Sequence, residues 1–483
     1  MEESATNPRP IRYAWKEISD LPQDVEALRD RELESLFDVW NKDENRLDAE
    51  RMKVLNAQIA REWAIETGIV ENVYSLDRGI TQTLIRRGID AAYIPHDATN
   101  LDPELVARII QSHADTLEGL FAFIRGERAL STGYIKELHA ALLRHQETIS
   151  VVDQFGNAFK TKLEKGTYKT TPNNPTRPDG TFHEYCPPEH VASEMDRLIQ
   201  LHREHDERGI TPHIEAAWLH HAFTQIHPFQ DGNGRVARAL ATLVFIKRMF
   251  FPLVVTRDDH ERYIDALEVA DQGDLSDLVR LFARIQKRAL TRAITMAVDV
   301  KPVASVDEAI AVTRDMLLNL GRIIPTQYLA AKETARGLVT LTMGRFENLT
   351  AKLTDEIGRV NSTYSFVAGT LGAAPVNELD LIGEKLQYVP NTDDYLASPV
   401  VTFTSSGVTS RIVVSFHSVG PAFRGLIAVA GYFQAGDKSP IPLSEDIFRI
   451  SYQELRGEAE GRYTHWLDQI LIKGLAEWRR TLA

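Results

Sequence analysis

The chain has a single cysteine, Cys186, so it cannot close a disulfide on itself, and a reducing compartment is the default expectation. It opens Met-Glu-Glu-Ser-Ala-Thr, acidic and with no apolar run behind it, so no signal peptide is expected there. No apolar stretch approaches bilayer-spanning length, which argues against a membrane protein. Basic charge is in deficit: 55 Lys and Arg stand against 68 Asp and Glu, a net charge of −13. That argues against broad nucleic-acid binding, which needs a basic surface. Repeats and low-complexity tracts are also absent. A cytoplasmic location is the expectation that remains.

The 483 residues, 43% hydrophobic and 25% charged, suffice for two or three globular domains. One stretch stands out, His227-Pro-Phe-Gln-Asp-Gly-Asn-Gly-Arg-Val-Ala-Arg238. Apolar helical segments flank it, Glu215 to Ile226 before and Val236 to Phe250 after, so it forms the turn between two helices. A glycine-rich turn opening a helix aims several backbone N–H groups at one spot, which the helix dipole already favours for anions. Gly232 and Gly234 can take positive φ angles and leave a ligand unobstructed. Asp231 beside such a nest suggests a hard cation such as Mg2+. Arg235 and Arg238 share the first turn of the second helix and can face one anion. His227 is a candidate general base near neutral pH. His-Pro and Gly-Asn-Gly are each ordinary punctuation, but all these groups at this spacing point to a site for Mg2+-bound polyphosphate with a proton acceptor beside it.

Along the chain, Pro22 to Trp40 and Asn45 to Glu66 carry helical periodicity, and Ile80 to Arg87 predicts a short helix closed by Gly88. Asp102 as N-cap and Pro103 at the first position open a helix to about Ile124, and Ser131 to His145 predicts another. His139 within it is expected to be packed rather than a ligand. Phe155-Gly-Asn-Ala-Phe and Gly166-Thr-Tyr-Lys-Thr-Thr look extended, and the proline-rich stretch from Pro172 to Gly180 predicts a hairpin or flap. Helices are expected over Glu189 to Arg208 and Asp259 to Leu290, the latter interrupted near Gly273. Ser305-x-x-Glu308 fits a capping box that opens a further unit; residues 326–372 continue helical. Strands are expected near Val400, Arg411 and Leu426, and a closing helix over Tyr463 to Leu482.

The twelve-residue stretch matches every specified position of the Fic signature, His-Pro-Phe-x-(Asp/Glu)-Gly-Asn-Gly-Arg-x-x-Arg, and the chain resembles that family over about residues 40–295. Leu130 to Leu143 resembles the helix that opens the Fic core, Gly166 to Thr171 its flap, and Glu261 to Asp274 the helix after the motif. The resemblance implies a mainly α protein: a helical core with a β-hairpin flap, to which the chain adds a C-terminal α+β region that the resemblance does not reach. Three regions are expected: an N-terminal helical region over 1–100, the catalytic core over 101–298, and a C-terminal domain over 299–483. The implied activity is transfer of AMP from ATP to a hydroxyl side chain of a protein. His227 would be the base, Asp231 would hold Mg2+, and the nest with Arg235 would hold phosphate. The resemblance further implies a phosphate contact for Asn233, a γ-phosphate contact for Arg238 and an adenine-pocket role for Tyr263. Asp271 stands in the same pocket where an asparagine is frequent.

Thr67-Gly-Ile-Val-Glu-Asn72 fits the inhibitory-helix pattern (Ser/Thr)-x-x-x-Glu-(Gly/Asn) of many Fic proteins. It implies that Glu71 pairs with Arg238 and misplaces the γ-phosphate. The flap, Tyr168, Lys169, Thr170 and Thr171, would align an extended target segment by main-chain pairing, although Pro172 and Pro175 lack the N–H for it. ATP and a hydroxyl-bearing protein are thus the expected partners; self-modification and homo-oligomerisation stay open. Competing readings are a Fic enzyme that transfers another phosphate-containing group or removes AMP, a metallohydrolase built on His205-Asp206 with His220, His221 or His227, and a non-enzymatic binding module.

Overall fold

The computed structural model describes residues 11–41, 49–126, 128–152, 158–175, 181–295, 325–405, 408–419, 426–452 and 456–482. The expected capping box at Ser305 and Glu308, and residues 155–157 and 176–180, lie outside them.

The chain divides into two compact units, cut differently from the sequence expectation. The first takes the residues up to Asp30 together with Ala49–Gln286; the second takes Arg31–Asp48 and everything from Lys287 onward. Residues 49–100 therefore belong with the core rather than to a region of their own.

The first unit is mainly helical. Its strands are β1 (Ile11–Tyr13), the hairpin β2 (Thr148–Val152) and β3 (Ala158–Lys162), and β4 (Phe182–His183). With the second unit's first helix labelled α1 (Arg31–Asn41), the first unit's helices run α2 (Ala49–Val70), α3 (Arg78–Arg87), α4 (Pro103–Arg125), α5 (Thr132–Leu142), α6 (Val191–Glu207), α7 (Pro212–Ile226), α8 (Asn233–Lys247) and α9 (His260–Asp271). The helix α10 (Ser276–Thr295) contains the cut between units. The expected caps are made: Asp102 accepts the Leu105 N–H at 3.0 Å with Pro103 behind it, and Ser131 caps α5. Helix α8 is buried on nearly every side, as its Leu, Val, Ile, Phe and Ala run requires, so it sits at the centre with α7 along it and α2, α4 and α5 around it. Trp63 of α2 fixes one of these contacts through its indole N–H, 3.1 Å from Thr242 Oγ1.

The second unit is α+β. A long helix α11 (Pro325–Gly358) precedes β5 (Ser365–Thr370), so the helical expectation over 326–372 is right only as far as Gly358. After α12 (Val376–Leu386) come β6 (Pro390–Ala397), β7 (Pro399–Ser405), β8 (Val408–Val419), β9 (Leu426–Ala435), β10 (Ile441–Pro442) and β11 (Phe448–Ser451), then α13 (Arg456–Arg480). The sheet order is β10-β9-β8-β7-β5, with β11 on β9 and β6 on β8, all antiparallel. One sheet face meets α11 and α13: Ile412, Val414, Phe416, Ile427 and Val429 pack with Phe346, Tyr463 and Ile470.

Glu32 explains why α1 belongs here. It lies 2.9 Å from Lys287 Nζ, 3.1 Å from Arg462 and 3.5 Å from Arg449. Burial opposes its charge, but the three cations prevail and hold its carboxyl down at about 2. A depressed carboxyl contributes stability above its unfolded value and loses it as pH falls through the folded one. Glu32→Gln should therefore cost the second unit about 3 kcal/mol at pH 7. Chemical denaturation should show the wild-type advantage shrinking below roughly pH 4.5 and vanishing near pH 2.

Candidate active site

The turn between α7 and α8 builds the site. His227 ends α7 in the left-handed region (φ 51°), with its N–H on Phe223 O at 2.9 Å. Few side chains adopt this backbone without strain. Its Nδ1 lies 3.3 Å from Thr224 O. A carbonyl only accepts, so Nδ1 carries the proton and Nε2 keeps its lone pair. Burial, then the Lys169 ammonium, pushes the imidazole down to about 3, so it is neutral near pH 7. Tyr185 stacks on the ring at 3.7 Å between centroids.

The next residues form a braced loop. Gly232 (φ 77°) caps α8, and a Cβ there would come within 2.5 Å of Leu143. Asn233 is buried; its Oδ1 accepts the Phe229 N–H at 2.9 Å and its Nδ2 donates to Phe229 O at 2.8 Å. Both polar ends of that side chain thus help to close the loop, and the Nδ2 group keeps a second N–H. The main chain of the helix start adds its own N–H groups for an anion at this position. His139 holds the loop from α5. It accepts from Gly166 N at Nδ1 (2.8 Å), so its Nε2 donates to Asp231 O (3.0 Å), and its ring stacks on Phe229 at 3.9 Å. It is packed, as expected, but braces the site.

Asp231 stands at the mouth, 42% exposed. Its Oδ1 accepts the Gly232 N–H at 2.7 Å and its Oδ2 the Gln146 amide at 2.5 Å. An open carboxylate with lone pairs to spare fits Mg2+, which binds through one or two carboxylates plus waters and substrate phosphates rather than in a protein cage. Among the described residues no group of three or more His, Cys, Asp or Glu is placed to hold a metal ion. The histidines of the metallohydrolase reading are engaged elsewhere: His205 contacts Asp20 and Glu215, His220 the Tyr263 hydroxyl, and His221 Asp271.

Arg235 and Arg238 are both buried, the first donating to Gln146 Oε1 at 2.8 Å and lying 3.5 Å from Asp231. Arg238 donates to Glu71 Oε1 at 2.8 Å and to Thr67 O at 3.2 Å. Burial works against its charge, yet Glu71, with Tyr263 beside it, raises it above its usual value. Each arginine still has a buried Nε without a partner.

Glu71 is placed by the end of α2. Asn72 takes a left-handed backbone (φ 53°), Val73 N donates to Gly68 O and Asn72 N to Ile69 O, each at 2.9 Å. This is a Schellman closure with Asn72 just past the helix and Glu71 as its cap. The Tyr74 ring packs against bare Gly68, where a Cβ would come within 2.4 Å. The Glu71 carboxylate rests on Gly234: a Cβ there would lie 2.2 Å from Oε1. A negative group thus covers the anion nest in the first turn of α8.

The remaining expected residues lie around this centre. Tyr263 is buried, its hydroxyl 2.8 Å from His220 Nε2, where it supports Arg238 from behind. Asp271 binds His221 at 3.0 Å and lies 3.7 Å from His183. Residues 168–171 form no strand; Lys169 N donates to Pro228 O at 2.8 Å, so the segment runs along the catalytic loop. The hairpin is β2–β3, ahead of the expected flap residues. Lys169 is buried with Nζ 2.8 Å from Asn173 Oδ1, and burial brings its ammonium down to about 8. Gln146 and Tyr185 went unread in the sequence, and His139 was read as packed but not as a brace; no spacing rule ties them to the motif.

A histidine, an open carboxylate and two buried arginines thus gather around one helix N-terminus in a helical unit. Residues 129–245 match the Fic/DOC family, and over that segment the chain is similar to Fic domains. Protein adenylyltransferase fic-1 of Caenorhabditis elegans is 32% identical over 107 residues, 22% of this chain and 21% of that protein. A Fido domain-containing protein of Dictyostelium discoideum is 41% identical over 90 residues, 18% of this chain and 62% of that one. The chain therefore spans less than two thirds of these relatives. The crystal structure of a Fic domain containing signaling protein from Bacteroides thetaiotaomicron is 25% identical, covers 55% of this chain and 96% of that one, and superposes with a TM-score of 0.45. No helix among the described residues is long and apolar enough to cross a membrane.

Because Arg238 is buried, removing its carboxylate partner strands a charge. Glu71→Gln should lower stability by about 3 kcal/mol. Millimolar pyrophosphate should restore much of the lost melting temperature in the variant and shift the wild type less; equal shifts would show that the carboxylate and the anion do not share a seat.

Proposed function

We propose that this chain transfers AMP from Mg2+-ATP to a hydroxyl side chain of a protein, and that Glu71 holds the activity down. One observation carries the reading: a carboxylate paired with Arg238 lies on Gly234, on the seat a terminal phosphate would take. Relatives named as protein adenylyltransferases, fic-1 among them, support the reaction class.

The chemistry follows from the residues. The acceptor hydroxyl gives its proton to Nε2 of His227 as its oxygen attacks the α-phosphorus, and pyrophosphate leaves with the electron pair of the broken P–O bond. Charge developing on the phosphoryl oxygens meets the first-turn N–H groups of α8 and Arg235. Asp231 would hold Mg2+, which supplies charge neutralisation on the polyphosphate. With Glu71 in place Arg238 is occupied, so ATP would sit with its γ-phosphate displaced and its α-phosphorus out of line.

Incubation with α-labelled ATP and Mg2+ tests this. Labelling of the protein itself or of lysate proteins should be weak for wild type, strong for Glu71→Gly and absent for His227→Ala. Equal labelling of the first two removes the inhibitory role of Glu71. Label retained from γ-labelled ATP, or loss of AMP from a labelled protein, would favour the alternative: transfer of another phosphate-containing group, or AMP removal.

A pH series adds an independent check. Because His227 is held at about 3, it stays a base throughout the usual histidine range. The labelling rate of Glu71→Gly should then not fall with a midpoint near roughly 6.5 as pH is lowered; a fall centred there would contradict the burial of that ring.

A further inference from the structure

Strand β4 lies one aromatic step from the base: His183 contacts Tyr185 at 4.6 Å, and Tyr185 stacks on His227. Both sides of β4 are already paired within the chain. On one side β1 runs parallel to it, Ile11 beside Phe182 and Tyr13 beside His183, with Glu184 N donating to Tyr13 O at 3.0 Å. On the other, His183 N donates to Pro175 O at 3.3 Å and Tyr185 N to Asn174 Oδ1 at 2.9 Å. An incoming extended segment therefore has no vacant edge to join; it must replace something.

The side held by β1 is built for a particular side chain. The Tyr13 ring stacks on His183 at 4.5 Å, and its hydroxyl accepts from Gln225 Nε2 at 2.8 Å. Gln225 stands on α7 two residues before His227 and also donates to Lys16 O at 3.1 Å. Trp15 N donates to Glu184 Oε2 at 3.3 Å, and the Trp15 ring stacks on His190 at 5.4 Å.

This strap is shallow. Tyr13 and Trp15 are half-buried and Ala14, Lys16 and Glu17 exposed, whereas Ile18 is fully buried with its N–H on Glu194 at 2.8 Å. No side chain from Tyr13 to Glu17 is fully buried, whereas Ile18, and Ser19 O on the Trp218 indole N–H, anchor the strap's C-terminal end.

We propose that the β4 edge with His183 and Gln225 is a docking surface for an extended, tyrosine-bearing protein segment, filled in this chain by its own residues 11–17, which a partner must displace. The surface stands on geometry alone; that the partner is the acceptor rests on the AMP-transfer reading. Glu71 then governs the nucleotide and the strap governs the acceptor, two locks on separate elements.

Hydrogen exchange on the full-length chain tests it. Tyr13→Ala should exchange the amides of residues 182–186 about tenfold faster, and Tyr13→Phe, which keeps the stack but loses the hydroxyl, should fall between. Amides of α7 and α8 should not change. A synthetic peptide of residues 9–18 should restore protection in Tyr13→Ala, and the same peptide with alanine for tyrosine should not. Unchanged exchange in Tyr13→Ala, or equal action of the two peptides, overturns the proposal. In a Glu71→Gly background with α-labelled ATP, Tyr13→Ala should raise labelling of lysate proteins several-fold; opened exchange without that rise shows that acceptors dock elsewhere. Absence of label in every background instead removes the AMP-transfer reading, and the exchange and peptide results still decide the docking surface.

Discussion

Arg238 is a guanidinium held out of water at the centre of a helical unit, and the site depends on how that charge is answered. A buried cation without a partner is costly, so the fold must either supply an anion or keep the seat ready for one. It supplies Glu71, and several otherwise unrelated features serve that placement. The left-handed Asn72 turns the chain at the end of α2. Tyr74 packs on Gly68 and binds Ile65 O at 2.9 Å, which fixes the last turn. Glu66 in that turn holds Arg257 at 3.1 Å and ties α2 to the loop before α9. The carboxylate that results meets the buried guanidinium from an ordinary helix end.

The motif was legible because it is contiguous. His227, Asp231, Gly232 and the two arginines lie on one turn and one helix start, so local geometry brings them together whatever the rest of the fold does. Glu71 was legible only as a pattern, since its partner lies 167 residues away. Its neighbour Asn72 has a physical reason in that pattern: the position needs a residue that tolerates positive φ. Gln146 and Tyr185 were not legible, and His139 was legible as a packed residue but not as a brace. Each acts through one tertiary contact with the loop, and nothing in the local sequence marks a histidine or glutamine for that. Asn233 adds that a polar side chain within the motif also closes the loop, through its two bonds to Phe229.

Misreadings elsewhere have similar causes. Ser365-Phe-Val-Ala-Gly-Thr370 reads as helix by continuation from the long helix before it, yet its pairing partner, β7, lies some thirty residues later. Helix α1 carries the apolar spacing of the helices after it, but Glu32 requires the cations of the second unit. A boundary drawn along the chain could not register that, because the preference belongs to one buried charge.

Gln146 has a consequence of its own. Its amide presents N–H to Asp231 and carbonyl to Arg235, so it stands between opposite charges and bonds to each. A glutamate there would repel Asp231, and a lysine would repel Arg235. Only a neutral group with a donor at one end and an acceptor at the other holds the two at 3.5 Å without letting them collapse into a closed pair. The amide works as an insulator, keeping a carboxylate and a guanidinium in adjacent positions with part of each charge still available to something that arrives from solution.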